Sequence, residues 1–239
     1  MATLRQTVAS VVAQVGVGVE HVFVDGGSDD GTLAYIGTLD HGVRVVRDEG
    51  RGIAAAMNLG AAAARGRYVC HLHSDDYFLH PRVLRRVAAH FEQSGAQWLF
   101  GRILSDIDGA LVPEQYRAPE YSYQRLLRGN FIPHPATFVR RELFERCGGF
   151  DEQYRFAMDY DFFLRIARVH PPLALREAFS VFRRHDGSTT QRNRLRSFEE
   201  DHAVRLRHIG PGRLARLPHQ LRYLVRRRRL LAALGEGSA

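Results

Sequence analysis

An α/β fold with a mainly parallel sheet flanked by helices is the class this sequence predicts, on three observations. Short apolar runs alternate with longer stretches whose apolar residues recur three and four positions apart. Acidic or glycine-rich loops follow the apolar runs, as they do where strands end at a ligand-binding edge. The chain has 239 residues, 45% of them hydrophobic, enough for one good core and an appendage.

The elements follow in order. From Thr3 to Gln14, Leu4, Val8, Val11 and Val12 keep a helical spacing, continued by Val15. Val22, Phe23 and Val24 make a short strand that ends on Asp25 and a glycine-rich loop. "GTLAYIGTL" reads as a helix, "GVRVVRD" as a strand, and "GIAAAMNLGAAAARG" as an alanine-rich helix closed by Gly66. Residues 67–72 form the next strand. "PRVLRRVAAHFEQSG" is a helix with Pro81 at its start and Gly95 at its end, and "AQWLFGRILSD" is a further strand. The chain opens on a helix, whereas a doubly wound nucleotide-binding domain begins with its central strand.

Composition narrows the function classes. Cys70 and Cys147 give neither a disulfide framework nor a metal-ligand spacing, which fits a reducing cytoplasm. No apolar run follows basic residues at the N-terminus as in a signal peptide, and none reaches the roughly 20 residues of a membrane span. The net charge is +8, and all 34 basic residues are arginine, a bias that suits GC-rich coding. Residues 202–239 hold nine arginines and one acid (Glu236), so the preceding 201 residues are neutral. A neutral body with no interleaving of aromatic and basic residues argues against a nucleic-acid groove and leaves one sticky C-terminal segment.

Three stretches could carry chemistry, and each also has an ordinary reading. "VDGGSDDGT" is a turn-forming run with Asp30 or Thr32 as a helix cap. At a strand end, its backbone N–H groups and Asp25 could instead hold a nucleotide. "HSDD" could be a solvated loop. Two adjacent carboxylates, Asp75 and Asp76, also suit a hard cation that bridges phosphates. In "RFAMDYDFFLRIAR", Asp159 and Asp161 stand in the first turn of a helix, where acids are favoured by the dipole. There either could also serve as a general base for an acceptor hydroxyl.

Taken in order, "VDGGSDDGT", "GIAAAMNLGAAAARGRYVCHLHSDD" and "NFIPHPATFVRRELFERCGGFDEQYRFAMDYDFFLRIAR" resemble the family 2 glycosyltransferases, from about Leu4 to about Ser188. The resemblance implies a GT-A (Rossmann-like) domain over residues 1–200 and a basic amphipathic tail over 201–239. It implies a metal-dependent, inverting transfer of sugar from a nucleotide sugar, a UDP-sugar foremost, to an acceptor hydroxyl. The setting it implies is assembly of bacterial surface polysaccharide or glycolipid, in the cytoplasm or peripherally on the inner face of the membrane. Asp159 is then the base. Asp76, with Asp75, holds Mg²⁺ or Mn²⁺ on the diphosphate, and Asp25 contacts the nucleoside base. Arg51 touches the nucleotide, His134 and Thr137 line the acceptor side, and His185 belongs to a late loop over the diphosphate. Asp161 and Arg165 complete the substrate site as support.

The sequence departs from the family pattern at Gly26, His73 and Met158, where relatives carry acidic residues or Asn. It also lacks the family's first strand, which leaves a rival reading as a non-catalytic binding or scaffold protein. In residues 213–234, Leu214, Leu217, Leu221, Leu224, Leu231 and Leu234 fall near one helical face. That face would dock on the body or lie on an anionic membrane surface.

Overall fold

The computed structural model describes residues 2–40, 42–113, 120–184 and 193–236. The elements run α1 (Ala2–Val12), β1 (His21–Asp25), α2 (Thr32–Ile36), β2 (Val43–Arg47), α3 (Ile53–Ala63), β3 (Tyr68–Val69) and β4 (Tyr77–Phe78). They continue with α4 (Val83–Ser94), β5 (Trp98–Ile107), β6 (Ala110–Pro113), α5 (Tyr123–Leu126), a 3₁₀ turn (His134–Ala136) and β7 (Thr137–Arg140). The last are α6 (Arg141–Arg146), α7 (Met158–Val169), β8 (Leu173–Arg183), α8 (Arg194–Ile209) and α9 (Arg213–Glu236).

The α/β class holds, but the sheet is mixed rather than mainly parallel. Strands β3, β7, β5, β8 and β4 are neighbours in that order, with β6 added to β5. Only β5–β8 is parallel in this sheet; β3–β7, β5–β7, β5–β6 and β4–β8 are antiparallel. Strands β1 and β2 form a separate parallel pair. The alternation of strands and helices gave the class correctly. It could not show that β4 and β7 would run against their neighbours, because neither is long enough to signal a direction.

Side-chain alternation along the central strand splits the core into two layers. Trp98 and Phe100 point to one face, where they meet α3, α6 and α7 through Met57, Phe144 and Phe163. Leu99 points to the other and joins Val11 of α1, Val83, Val87 and Phe91 of α4, and Phe179. Gly101 sits where β5 and β8 shift register; a Cβ there would lie 2.4 Å from the Phe179 ring and 2.6 Å from the Glu177 carbonyl. Only glycine permits that approach.

The strand expected over residues 67–72 is paired only at Tyr68 and Val69, because β7 accompanies it no further. Its remainder, residues 70–72, is free of ladder bonds and opens the loop that carries the acidic pair. The expected division at residue 200 falls inside α8, whose Val204 is buried in the first core layer.

Candidate active site

The acidic pair sits between β3 and β4, at the carboxyl end of β3. Because β7 runs antiparallel to β3, its first residue, Thr137, and the preceding 3₁₀ turn reach the same edge. Asp75 is half-buried, and Asp76 is completely buried, at 0% exposure. Three elements hold this loop. Thr7 of α1 donates its hydroxyl to the Asp76 carbonyl at 2.7 Å. Arg183, ending β8, donates its backbone N–H to Asp76 Oδ1 at 3.2 Å and its Nε to the Asp75 carbonyl at 3.3 Å. The same guanidinium pairs with Asp106 at 3.3 Å.

Burial, and then the neighbouring Asp75 charge, push the Asp76 carboxyl up to about 7. Its Oδ2 is buried with no hydrogen-bond partner among the described residues. An orphaned carboxylate oxygen in a loop with a second carboxylate fits a hard divalent cation that takes its other ligands from phosphates. Among the described residues, no group of three His, Cys, Asp or Glu side chains could hold a metal unaided. Asp75 is the more accessible carboxylate of the two, and Asp76 is fully buried.

Asp159 opens α7. Its Oδ2 accepts from the Asn130 amide at 3.3 Å and its Oδ1 from the Tyr160 N–H at 2.6 Å. Desolvation, with the like charge of Asp201 on α8, pushes its carboxyl up to about 7, inside the range useful to a general base. Asp201 is itself raised to about 6 by burial. Glu200, one residue earlier, caps the helix: its carboxylate accepts the backbone N–H groups of Arg155, Phe156 and Ala157 at 3.0, 2.6 and 2.9 Å. Arg155 and Phe156 precede the helix and Ala157 is its N-cap, so Glu200 ties down the turn that enters α7.

The segment from Asn130 to Thr137 connects the two acidic centres. Asn130 reaches Asp159, and the His134 ring lies 5.6 Å from His73, two residues before Asp75. His134 also packs against His71 at 5.8 Å, Phe150 at 5.9 Å and Phe163 at 6.3 Å. Desolvation, then the neighbouring His73 and His71, hold it well below the usual imidazole range.

Several expected site residues take other roles. Both ring nitrogens of His134 are buried inside this aromatic cage, so it faces the core edge rather than an open acceptor surface. Thr137 is buried and donates its hydroxyl to the Pro133 carbonyl at 2.8 Å, which shapes the turn. Asp161 is 0% exposed. It accepts from Arg165 at 2.7 Å and pairs with His208 of α8 at 3.0 Å. Burial alone would raise its carboxyl, but those two hydrogen bonds outweigh burial and hold it below the usual range. Arg165 also donates to the carbonyls of Cys147 and Gly149. It thereby fixes the turn in which Gly149 has φ +63° and a Cβ would lie 2.5 Å from Asn58 Oδ1.

Asp25 ends β1 as expected, but its carboxylate accepts from the backbone N–H groups of Gly27 and Ser28 at 2.9 and 3.0 Å. The hydrogen bond with the Ser28 side chain lowers its pKa foremost. Arg51 is exposed in the loop before α3 and lies 3.8 Å from Glu152. His185 lies outside the described residues. Sequence reading missed Asn130, Arg183, Glu200, Asp201 and His208. Asn130 stands inside a motif already singled out, but no local signal marks α8 as a partner of α7.

A family model described as glycosyl transferase family 2 matches residues 2–148. An uncharacterized glycosyltransferase of Mycobacterium tuberculosis is 34% identical over 180 residues, which are 72% of this chain and 67% of that protein. A PGL/p-HBAD biosynthesis glycosyltransferase of Mycobacterium bovis is 33% identical over 69% of this chain and 64% of its own. Chondroitin synthase of Pasteurella multocida is 30% identical over 70% of this chain but only 18% of its own. Among solved structures, S. aureus TarS 1–349 in complex with UDP aligns with TM-score 0.68 at 20% identity, over 86% of this chain and 61% of that one. A mannosyltransferase of Pyrobaculum calidifontis, solved with GDP-Man and Mn²⁺, aligns with TM-score 0.61 at 18% identity, over 91% and 64%. The fold is therefore of the GT-A kind, and the chain belongs to glycosyl transferase family 2.

Proposed function

We propose that this chain is an inverting glycosyltransferase that uses Mg²⁺ or Mn²⁺ and moves a sugar from a nucleoside diphosphate to an acceptor hydroxyl. The observation that carries this reading is Asp159, a half-buried carboxylate at a helix start, tuned to about 7 and oriented by Asn130. Asp159 takes the proton of the acceptor hydroxyl as that oxygen bonds to the anomeric carbon. The bond from that carbon to the diphosphate oxygen breaks, and its electron pair leaves with the nucleoside diphosphate. Attack from the face opposite the departing group inverts the centre. A cation held by Asp75 and Asp76 would offset the charge gained by the diphosphate. Arg183 keeps both carboxylates in place by fixing their loop from β8.

A nucleotide-sugar donor is supported by the neighbours solved with UDP, UDP-GlcNAc and GDP-Man. We favour a UDP-sugar. A lipid-linked or polysaccharide acceptor at the cytoplasmic face of the membrane accords with the relative named for PGL/p-HBAD biosynthesis.

Calorimetric titration with UDP and with GDP, with and without Mn²⁺, tests the donor side, with Asp75→Ala and Asp76→Ala as controls. Metal-dependent binding lost in either variant supports the reading and identifies the base preferred. A folded protein that binds neither nucleotide returns the chain to the binding or scaffold class.

A further inference from the structure

The C-terminal helix α9 is docked the wrong way round for a helix that belongs to a soluble surface. At 100° per residue, Arg216, His219, Tyr223 and Arg227 share one side, and this side meets α8. Tyr223 stacks on His202 at 4.0 Å and on Phe198 at 5.3 Å. Arg227 pairs with Glu199 at 3.2 Å, and Arg216 donates to the carbonyls of Leu206 and Gly210. The leucine stripe lies on the opposite side and faces away from the protein. Leu214 is 87% exposed, Leu221 56% and Leu224 54%, with Leu217, Val225 and Leu231 also exposed. An amphipathic helix ordinarily buries such a stripe against the core. Here the polar and aromatic side is the docked one, and the apolar side is left outermost.

What could cover it is constrained by charge. α9 carries Arg213, Arg216, Arg222, Arg226, Arg227, Arg228 and Arg229, and a single acid, Glu236. Arg222 and Arg229 border the stripe, and Arg228 stands within it. A second copy presenting the same face would set arginines against arginines with almost no acid to separate them. Anionic headgroups supply the missing charge, and arginine stems can lie along acyl chains with the guanidinium groups at headgroup level. No described helix is long and apolar enough to cross a membrane, so the geometry is that of a helix lying in the interface.

We propose that the outward face of α9 is a docking surface for an anionic lipid bilayer, with Leu217, Leu221 and Leu224 entering the acyl boundary and Arg222, Arg228 and Arg229 at the phosphates. The surface is independent of the catalytic assignment, since it shares no residue with the acidic loop or with α7.

Flotation of the full chain with phosphatidylcholine vesicles, with and without phosphatidylglycerol, tests it. The protein should float only with the anionic vesicles. Leu221→Asp with Leu224→Asp should reduce partitioning roughly tenfold or more. Because both side chains are exposed, the circular dichroism melt should not move. Arg222→Gln, Arg228→Gln and Arg229→Gln should each weaken binding about fivefold. Absence of flotation overturns the proposal. So does flotation that survives the leucine replacements and disappears with salt, which would be a purely electrostatic attraction. A concentration-dependent dimer that Leu221→Asp abolishes, without vesicle binding, would assign the stripe to a second copy.

Discussion

Glu200 on α8 accepts the backbone N–H of Ala157 at 2.9 Å, two residues before the carboxylate assigned as the base. With the bonds to Arg155 and Phe156, one side chain from a distant helix satisfies three donors in the turn that enters α7. The turn leading into Asp159 is thus held by a residue 43 positions after Ala157. Glu200→Ala should cost about 1–2 kcal/mol in urea unfolding, as loss of a cap does. If the cap positions the base, turnover should fall several-fold while the donor KM stays unchanged, and Glu200→Asp should recover part of it. Equal loss in KM and turnover would mean that Glu200 supports the fold generally.

The second prediction concerns pH. Asp159 must be ionised to take a proton, and its carboxyl is raised to about 7, so transfer should fall as pH drops below about 7. Asp201 contributes to that rise by like-charge repulsion. Asp201→Asn removes the repulsion, eases ionisation of Asp159 and should move the acidic limb of the pH profile to lower pH. Asp159→Asn should cost roughly 10²- to 10⁴-fold in turnover at every pH while leaving donor titrations intact.

Stability should show the same chemistry with its own sign. Asp76 has a folded pKa of about 7 against an ordinary value of 3.8, so between these pH values the folded state binds the extra proton. Its contribution therefore weakens as pH rises from about 4 to about 7, the reverse of a salt-bridged carboxylate. Asp76→Asn cannot ionise and removes that slope. The difference in Tm between Asp76→Asn and the unmodified protein should grow in favour of Asn from pH 5 to pH 7.5. In the unmodified protein, Mn²⁺ with nucleoside diphosphate should restore the Tm at pH 7.5, and in Asp76→Asn the gain should shrink.

Much of this was legible in the residues. Helical spacing gave α1, α3 and α4 nearly to their ends, and the acidic loops fell at strand ends as expected. Local pattern could not show how loops and helices distant in sequence meet. Asp75 and Asp76 look equivalent in "HSDD", but Thr7 and Arg183, which bury Asp76, come from α1 and β8. His134 and Thr137 read as acceptor-side residues by resemblance, whereas their burial follows from contacts with Phe150, Phe163 and Pro133 that no local pattern shows. The tail stripe was readable at Leu214, Leu217, Leu221, Leu224 and Leu231, with Leu234 outside the described side chains. Its outward direction was not, because that depends on Tyr223 stacking against α8.

Asp161 separates support from substrate binding most sharply. Its carboxylate is wholly buried and joins Arg165 on its own helix to His208 on α8. Arg165 in turn carries the Cys147 and Gly149 carbonyls, so the turn before α7, the helix itself and α8 meet at one charge. Asp161→Asn keeps the size but removes the charge, leaving Arg165 without its counter-ion. A fully buried pair broken on one side loses about 3–5 kcal/mol, and the part exposure of Arg165 reduces this to roughly 2–3 kcal/mol. Urea unfolding should show that loss, larger above about pH 4 than below it, because the ionised carboxylate with its lowered pKa is what stabilises the fold. Where Asp161→Asn remains folded, nucleotide titrations should match the unmodified protein. A variant of full stability that no longer binds nucleotide would place Asp161 in the donor site after all.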